Sequence, residues 1–117
     1  MNKSLLSLPL LVALASPALA TGGMTCRTAG ARPITVSLVI GHTAVPAIVS
    51  ARLTDNGRVI PVTVAQAWLD TNELRLDLVD PNAMRREARL IARSNGGHYD
   101  GSIWRGGKRR WVRCRES

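Results

Sequence analysis

Basic and aromatic residues are concentrated near the C-terminal end of this chain of 117 residues. Six of the eleven residues in 105–115 are lysine or arginine; Trp111 lies among them and Trp104 directly precedes them. A guanidinium group binds a carboxylate or phosphate through two parallel hydrogen bonds and also stacks on aromatic rings. This segment therefore has the residue types that bind an anionic partner.

Gly106 and Gly107 predict the geometry of the segment, because two consecutive glycines favour a two-residue hairpin turn. In such a hairpin, alternate residues of both strands share one face. The expected cross-strand pairs on one face are Trp104 with Arg109, Ser102 with Trp111, Asp100 with Arg113, and His98 with Arg115.

That face must look towards solvent, because three arginines cannot be buried beside one aspartate without a large desolvation cost. The opposite face carries Ile103, Val112 and Cys114 and is the expected core face. The predicted binding patch consists of Trp104, Trp111, Arg109, Arg113, Arg115, Asp100 and His98. Its candidate partners are an anionic glycan, the phosphates of lipopolysaccharide, a membrane surface or extracellular nucleic acid.

Two other interpretations of the hairpin stay open at this point. Arginine stems can shield two structural tryptophans while their charges are simply solvated. A register slip of one residue would instead turn both tryptophans into the core.

Motifs for catalysis or metal binding are missing from the sequence. His42 and His98 have no partner at metal-ligand spacing, and no nucleophile elbow, phosphate-binding loop or dinucleotide fingerprint is present. A carboxylate pair of the glycosidase type could be assembled only by the fold. The available acids are Asp70, Glu73, Asp77 and Asp80. We therefore expect a non-catalytic protein without metal or cofactor.

Residues 1–20 are predicted to be a cleaved secretory signal. Lys3 supplies the positive start, residues 5–15 the apolar stretch, and Ala18 and Ala20 the small residues before the cleavage site. The apolar stretch is too short to span a bilayer, although a retained anchor helix is the alternative. Thr21 follows the cleavage site, where a lipid anchor would need cysteine. We expect one small domain over residues 21–117, periplasmic or secreted from a bacterium and not transmembrane.

The two cysteines, Cys26 and Cys114, lie near the two ends of that mature chain. Export to an oxidising compartment predicts a disulfide between them, and two thiols alone are too few ligands for a metal. Removal of Lys3 with the leader leaves fifteen basic residues against eight acidic ones, a net charge of +7. All but one of these basic residues are arginine, a bias that GC-rich coding also produces.

Turn residues recur at spacings that suit strands, and runs of Val, Ile and Leu alternate with polar residues between them. This pattern predicts an all-β antiparallel meander of seven or eight strands, closed by the disulfide as a small barrel or a tightly curled sheet. Pro61 has no backbone N–H to donate to a β-ladder, so it predicts a sheet edge or a β-bulge at this position. Residues 86–93 are expected to form a strand after a short helical turn at 81–85, with one helix across 81–93 as the alternative.

The exported meander with an N-to-C cystine resembles, in architecture only, the small periplasmic barrels of the lysozyme-inhibitor and lipocalin-like types. Three functional hypotheses compete with binding of an anionic envelope component. The first is a protein-binding module, such as an inhibitor or assembly factor, that uses an edge near Pro61 or the loop at 42–48. The others are a hydrolase and a barrel that holds a small apolar ligand.

Overall fold

The computed structural model describes residues 21–42 and 46–117, so the predicted leader lies outside the described residues. Nine strands cover most of this part of the chain. They are β1 (Thr21–Thr28), β2 (Ile34–His42), β3 (Pro46–Asp55), β4 (Arg58–Ile60), β5 (Thr63–Leu69), β6 (Glu73–Val79), β7 (Arg86–Ser94), β8 (Tyr99–Arg105) and β9 (Lys108–Glu116). Across the same residues, no helix has the length and apolar character needed to cross a membrane.

The strands form one antiparallel sheet in the order β4-β3-β2-β1-β9-β8-β7-β6-β5. Its two edge strands, β4 and β5, are consecutive in the chain and are separated only by Pro61 and Val62. A link of two residues cannot cross an open sheet of nine strands, so the sheet must curl until its edges approach. It forms a half-barrel in which β3 and β5 lie side by side.

The all-β antiparallel class is confirmed, but the expected count of seven or eight strands is too low. The edge or bulge predicted at Pro61 is confirmed as an edge, because the strands before and after it are the two edge strands of the sheet. Pro61 has no N–H for a ladder, and the chain leaves one edge of the sheet there and begins the other. The apolar run from Val59 to Val64 is therefore divided between β4 and β5.

The curled sheet encloses an aliphatic core, because each strand alternates apolar residues inwards with polar residues outwards. In β6, Leu74, Leu76 and Leu78 are buried, whereas Arg75 between them is exposed. The buried apolar residues are Met24, Cys26, Ile34, Val36, Leu38, Ile40, Leu53, Leu74, Leu76, Leu78, Ala88, Leu90, Ala92, Ile103, Val112 and Cys114. This core contains no aromatic ring, and the whole chain has no phenylalanine.

The predicted disulfide joins Cys26 on β1 to Cys114 on β9. The two residues lie directly opposite each other in the β1–β9 ladder, with Cα atoms 3.9 Å apart, and are fully buried. The cystine thus fastens the first strand to the last, where the two halves of the sheet meet. Such a bond is compatible with an oxidising, exported compartment.

Residues 86–93 form a strand as expected, since β7 spans Arg86–Ser94. The segment before it is a series of turns, not the expected helical turn. The Asp80 carboxylate accepts the backbone N–H groups of Asn82, Met84 and Arg85 at 2.7–3.3 Å, and Ala83 has a positive φ of 55°. Because the aspartate side chain satisfies these N–H groups, no helix is needed there.

Strand β8, which carries Trp104, is held at both of its ends. At its start, the Tyr99 hydroxyl donates to the backbone carbonyl of Asp70 at 2.7 Å. At its end, the Arg105 guanidinium binds the carboxylates of Asp55 at 2.8 Å and Glu87 at 3.0 Å. These contacts tie β8 to three other parts of the sheet and fix the hairpin that it forms with β9.

Gly101, in the middle of β8, allows this strand to pass close to β7. A Cβ placed on Gly101 would overlap the carbonyl oxygen of Ile91 and lie 2.6 Å from the Cα of Ala92. Neither backbone atom can move without breaking the β7–β8 ladder. Only glycine therefore fits at this position.

Candidate functional site

The β8–β9 hairpin has the predicted register. Trp104 lies opposite Arg109, Ser102 opposite Trp111, and Asp100 opposite Arg113. The side chains of Trp104 and Trp111 are 37% and 53% exposed. A register slip that turns both indoles into the core is therefore excluded, because the inward positions are taken by residues that are at most 1% exposed. These are Ile103, Val112 and Cys114.

The predicted pairing of His98 with Arg115 is wrong, because β8 begins at Tyr99 and the β8–β9 ladder does not include His98. His98 instead lies in the loop between β7 and β8, with its Nε2 3.4 Å from Oδ2 of Asp100. This Nε2 atom is buried and has no hydrogen-bond partner among the described residues. His98 is thus next to Asp100, at one end of the predicted patch. For His42, the other histidine, only the backbone, at the end of β2, is described.

Asp100 is the centre of a polar cluster on the outer face. It accepts two hydrogen bonds from Arg113, at 2.7 and 3.0 Å, and one from the Asn95 amide at 2.8 Å. The bonds from Arg113 are the main cause of a pKa for Asp100 of about 2, followed by the Asn95 bond and the nearby His98. Partial burial opposes this shift. Asp100 is therefore ionised at neutral pH, and it balances the charge of Arg113.

Arg113 also lies beside an aromatic ring. Its guanidinium carbon is 5.2 Å from the centre of the Trp111 ring, within the range of a cation–π contact. The same group is thus held by Asp100 on one side and by an exposed indole on the other. Trp111 is therefore held by its place in β9 and by its contact with the Arg113 guanidinium.

The charge available to a ligand comes from other arginines on this face. Arg109 and Arg115 are exposed and form no ion pair within the described part of the chain. Arg27 on β1 is also exposed and has no ion pair there, and it lies directly opposite Arg113 in the β1–β9 ladder. A shallow groove of about 460 Å³ runs between these strands, lined in part by Arg27, Trp111 and Arg115.

Arg27 was missed by the sequence analysis, although a signal for it exists. If Cys26 and Cys114 are paired on adjacent antiparallel strands, the residues beside them, Arg27 and Arg113, must also be paired. We call the six outward side chains Trp104, Arg109, Trp111, Arg113, Arg115 and Arg27 the Trp–Arg face.

The four acids considered for a glycosidase pair all have structural contacts. Asp70 caps the β5–β6 turn, and the backbone N–H of Asn72, with further bonds from Trp68 and Glu73, holds its pKa below the ordinary value. Asp80 caps the turns before β7, and the N–H of Arg85 is the main cause of its lowered pKa. Asp77 pairs with Arg86 and Arg89, and Glu73 with Arg75.

No group of three or more histidine, cysteine, aspartate or glutamate side chains that could hold a metal occurs within residues 21–42 and 46–117. The third tryptophan, Trp68 on β5, is 54% exposed, and its indole N–H donates to Asp70 at 3.0 Å. All three tryptophans of the chain therefore lie on the outside of the sheet.

Comparison with known proteins gives no match of any kind: no family model, no curated protein and no solved structure matches this chain. The geometry of the outer face, with its indoles and arginines, is therefore the basis for an assignment of function.

Proposed function

We propose that this protein is an exported, non-catalytic module of the bacterial cell envelope that binds an anionic envelope component through the Trp–Arg face. Asp100, which binds Arg113, and His98, which lies next to Asp100, are at one end of that face. The proposal includes the predicted leader and a periplasmic or secreted location. It assigns no cofactor.

The position of the tryptophans carries this proposal. A tryptophan is the largest apolar side chain, and its burial would stabilise a core that contains no aromatic ring. Here Trp104 and Trp111 are both directed outwards from one hairpin, beside guanidinium groups. Exposed aromatic rings grouped with arginine are typical of binding surfaces, whereas apolar side chains exposed singly are common on any protein.

Charge supports an anionic partner. Seven of the eight acids have contacts with arginines or with turn N–H groups, and Arg27, Arg109 and Arg115 are among the basic residues that have no acidic partner within the described part of the chain. Unpaired cations on one face attract a polyanion and increase its rate of association. Salt screens such an attraction, because the Debye length falls as ionic strength rises.

The test measures the affinity of the mature protein for polygalacturonate and for vesicles that contain phosphatidylglycerol, at increasing sodium chloride concentration. We expect binding to at least one of them, with an affinity that decreases as salt rises. Binding should be lost in the double variant W104A/W111A while the melting temperature is retained. Val59→Ala is the matched control, since Val59 is 50% exposed on β4, away from the Trp–Arg face. Unchanged binding by the double variant would remove the proposal.

The absence of catalysis is proposed because the acids that could form a hydrolytic pair are engaged in turns and ion pairs. A panel of glycoside, ester and peptide substrates tests this point. Turnover that is lost when Asp77 or Glu73 is replaced by the corresponding amide would contradict it.

A second candidate function is binding of a protein partner at the sheet edge. Strands β4 and β5 are the two edges of the sheet, and the edge at β4 has only three residues, next to Pro61. An edge strand has unpaired backbone groups that can add a strand from another chain. Of the loop predicted at 42–48 for this role, residues 43–45 lie outside the described residues, and the other residues belong to β2 and β3. This alternative predicts a defined partner with weak dependence on salt.

A further inference from the structure

The outer face of the sheet carries two parallel rows of side chains that cross five strands. The ladders between β5 and β9 keep one continuous register at these positions. The first row is Trp68, Arg75, Ile91, Ser102 and Trp111; the second is Gln66, Asp77, Arg89, Trp104 and Arg109. The residues between the rows point inwards, so their backbone forms a floor. We call this feature the trans-strand groove.

The groove is open at its β5–β7 end. There a depression of about 520 Å³ lies between the two rows, with Trp68 and Arg75 on one side and Gln66, Asp77 and Arg89 on the other. Beyond β7 the two rows continue across β8 and β9 to the Trp–Arg face, since Trp104, Arg109 and Trp111 belong to them. All three tryptophans of the chain thus line a single path.

This path is longer than a small ligand can span. Four strand spacings of about 4.8 Å separate β5 from β9, so Trp68 and Trp111 lie about 19 Å apart along the row. A phosphate, a lipid headgroup or one sugar ring reaches only one of these indoles. A linear chain of several sugar rings reaches both.

The side chains along the path suit an acidic sugar chain. Indole faces pack against the apolar C–H face of a sugar ring, and guanidinium groups bind carboxylates through two hydrogen bonds. Arg109 has no acidic partner in the described residues, and Arg75 is 56% exposed, with one partner, Glu73. Gln66 and Ser102 provide hydrogen-bonding groups for sugar hydroxyls, whereas Asp77 is already paired with Arg86 and Arg89. The path therefore has aromatic, basic and hydrogen-bonding side chains of the types that a uronic acid polymer would contact.

From this arrangement we propose that the trans-strand groove binds one linear polysaccharide of uronic acid type, laid across strands β5–β9 from Trp68 to Trp111. This inference rests on the proposed function and specifies its ligand. A single-stranded nucleic acid fits less well, because its bases stack on successive aromatic side chains. Along the first row, the positions between Trp68 and Trp111 are Arg75, Ile91 and Ser102.

The test compares digalacturonate with decagalacturonate by isothermal titration. We expect Trp68→Ala to weaken binding of the decamer by roughly tenfold, the scale of one aromatic stacking contact, and to leave binding of the dimer unchanged. Trp111→Ala should weaken both. Trp68→Phe keeps an aromatic ring and should restore most of the affinity for the decamer. Arg52→Gln, which removes an exposed charge on β3, is the control.

Three outcomes would overturn this inference. The first is decamer binding that depends on Trp111 but not on Trp68; the proposed function would then stand with a shorter ligand. The second is tight binding of anionic vesicles without any binding of the decamer. The third is a single-stranded oligodeoxynucleotide of similar length that binds more tightly with the same dependence on Trp68. If neither the vesicles nor the oligomers bind, both this inference and the proposed function are wrong.

Discussion

Arg113 and Asp100 lie directly opposite each other on β9 and β8 and form two parallel hydrogen bonds, with Nε 2.7 Å from Oδ1 and Nη2 3.0 Å from Oδ2. The guanidinium held in this way lies 5.2 Å from the ring centre of Trp111. The ion pair therefore stabilises the hairpin and also fixes a cation beside an exposed indole. On the proposed face, Arg113 orients Trp111, and unpaired arginines supply the charge.

Replacement of Asp100 by asparagine tests this division of roles. The pKa of Asp100 in the folded protein, about 2, lies below the ordinary value of 3.8. Its ionised carboxylate therefore stabilises the fold at pH values above 3.8. That contribution is lost as pH falls through about 2. At neutral pH we expect Asp100→Asn to cost about 1 kcal/mol, the scale of a partly exposed hydrogen-bonded ion pair, and to flatten the loss of stability between about pH 4 and 2.

Urea unfolding at a series of pH values measures both effects. Glu116→Gln is the control, because Glu116 has no ion-pair partner among the described residues and its loss should leave the profile unchanged. An Asp100→Asn protein with the acid profile of the wild type would contradict the role of this pair.

Gly101→Ala should be among the most damaging substitutions in the chain. The new methyl group would overlap the backbone of Ile91 and Ala92, so β7 and β8 would have to separate. We expect a loss of about 3 kcal/mol or more in the free energy of unfolding, the upper range for forced overpacking. Gly23→Ala is the matched control, since its Cβ would meet ordinary contacts at 3.4 Å. Equal stability of the two variants would show that β7 and β8 are not so close.

Loss of the disulfide should destabilise the whole sheet. The bond between Cys26 and Cys114 spans 88 residues of sequence, and closure of a loop of this length contributes about 4–5 kcal/mol in the chain-entropy model. The double variant C26A/C114A also removes a buried contact at the join of the two halves of the sheet. Thermal unfolding of this variant, beside the reduced and oxidised wild type, measures the effect. A melting temperature that is insensitive to reduction would contradict the assigned pairing.

The unpaired arginines should determine the salt dependence of ligand binding. Arg109→Gln and Arg115→Gln are each expected to lower the slope of log affinity against log salt by about one, as for one lost phosphate or carboxylate contact. Arg52→Gln should leave the slope unchanged, because Arg52 lies on β3, away from the Trp–Arg face. Equal slopes for all three variants would indicate that binding depends only on net charge.

The sequence predicts the hairpin well because the Gly106–Gly107 turn fixes which residues of its two strands face each other. The pairs of Trp104 with Arg109 and of Asp100 with Arg113 follow from that turn alone. The same local reasoning fails for His98, since the loop before β8 takes that residue out of the ladder. At Pro61 the predicted edge is confirmed, but no local feature indicates that the chain continues at the opposite edge of the sheet.

The wider face could not be predicted without the pairing of distant strands. Arg27 joins the site only because β1 pairs with β9, and Trp68 shares a row with Trp111 only because five consecutive strands keep one register. A turn constrains neighbours in sequence, whereas these relations depend on how the sheet closes.

Quenching of tryptophan fluorescence by neutral acrylamide tests the central claim most directly. All three indoles are exposed, so no buried tryptophan masks the signal. We expect strong quenching of the free protein and marked protection when decagalacturonate is bound at saturation. A bound ligand that leaves quenching unchanged, or a free protein whose indoles resist the quencher, would contradict a ligand site built on the exposed tryptophans.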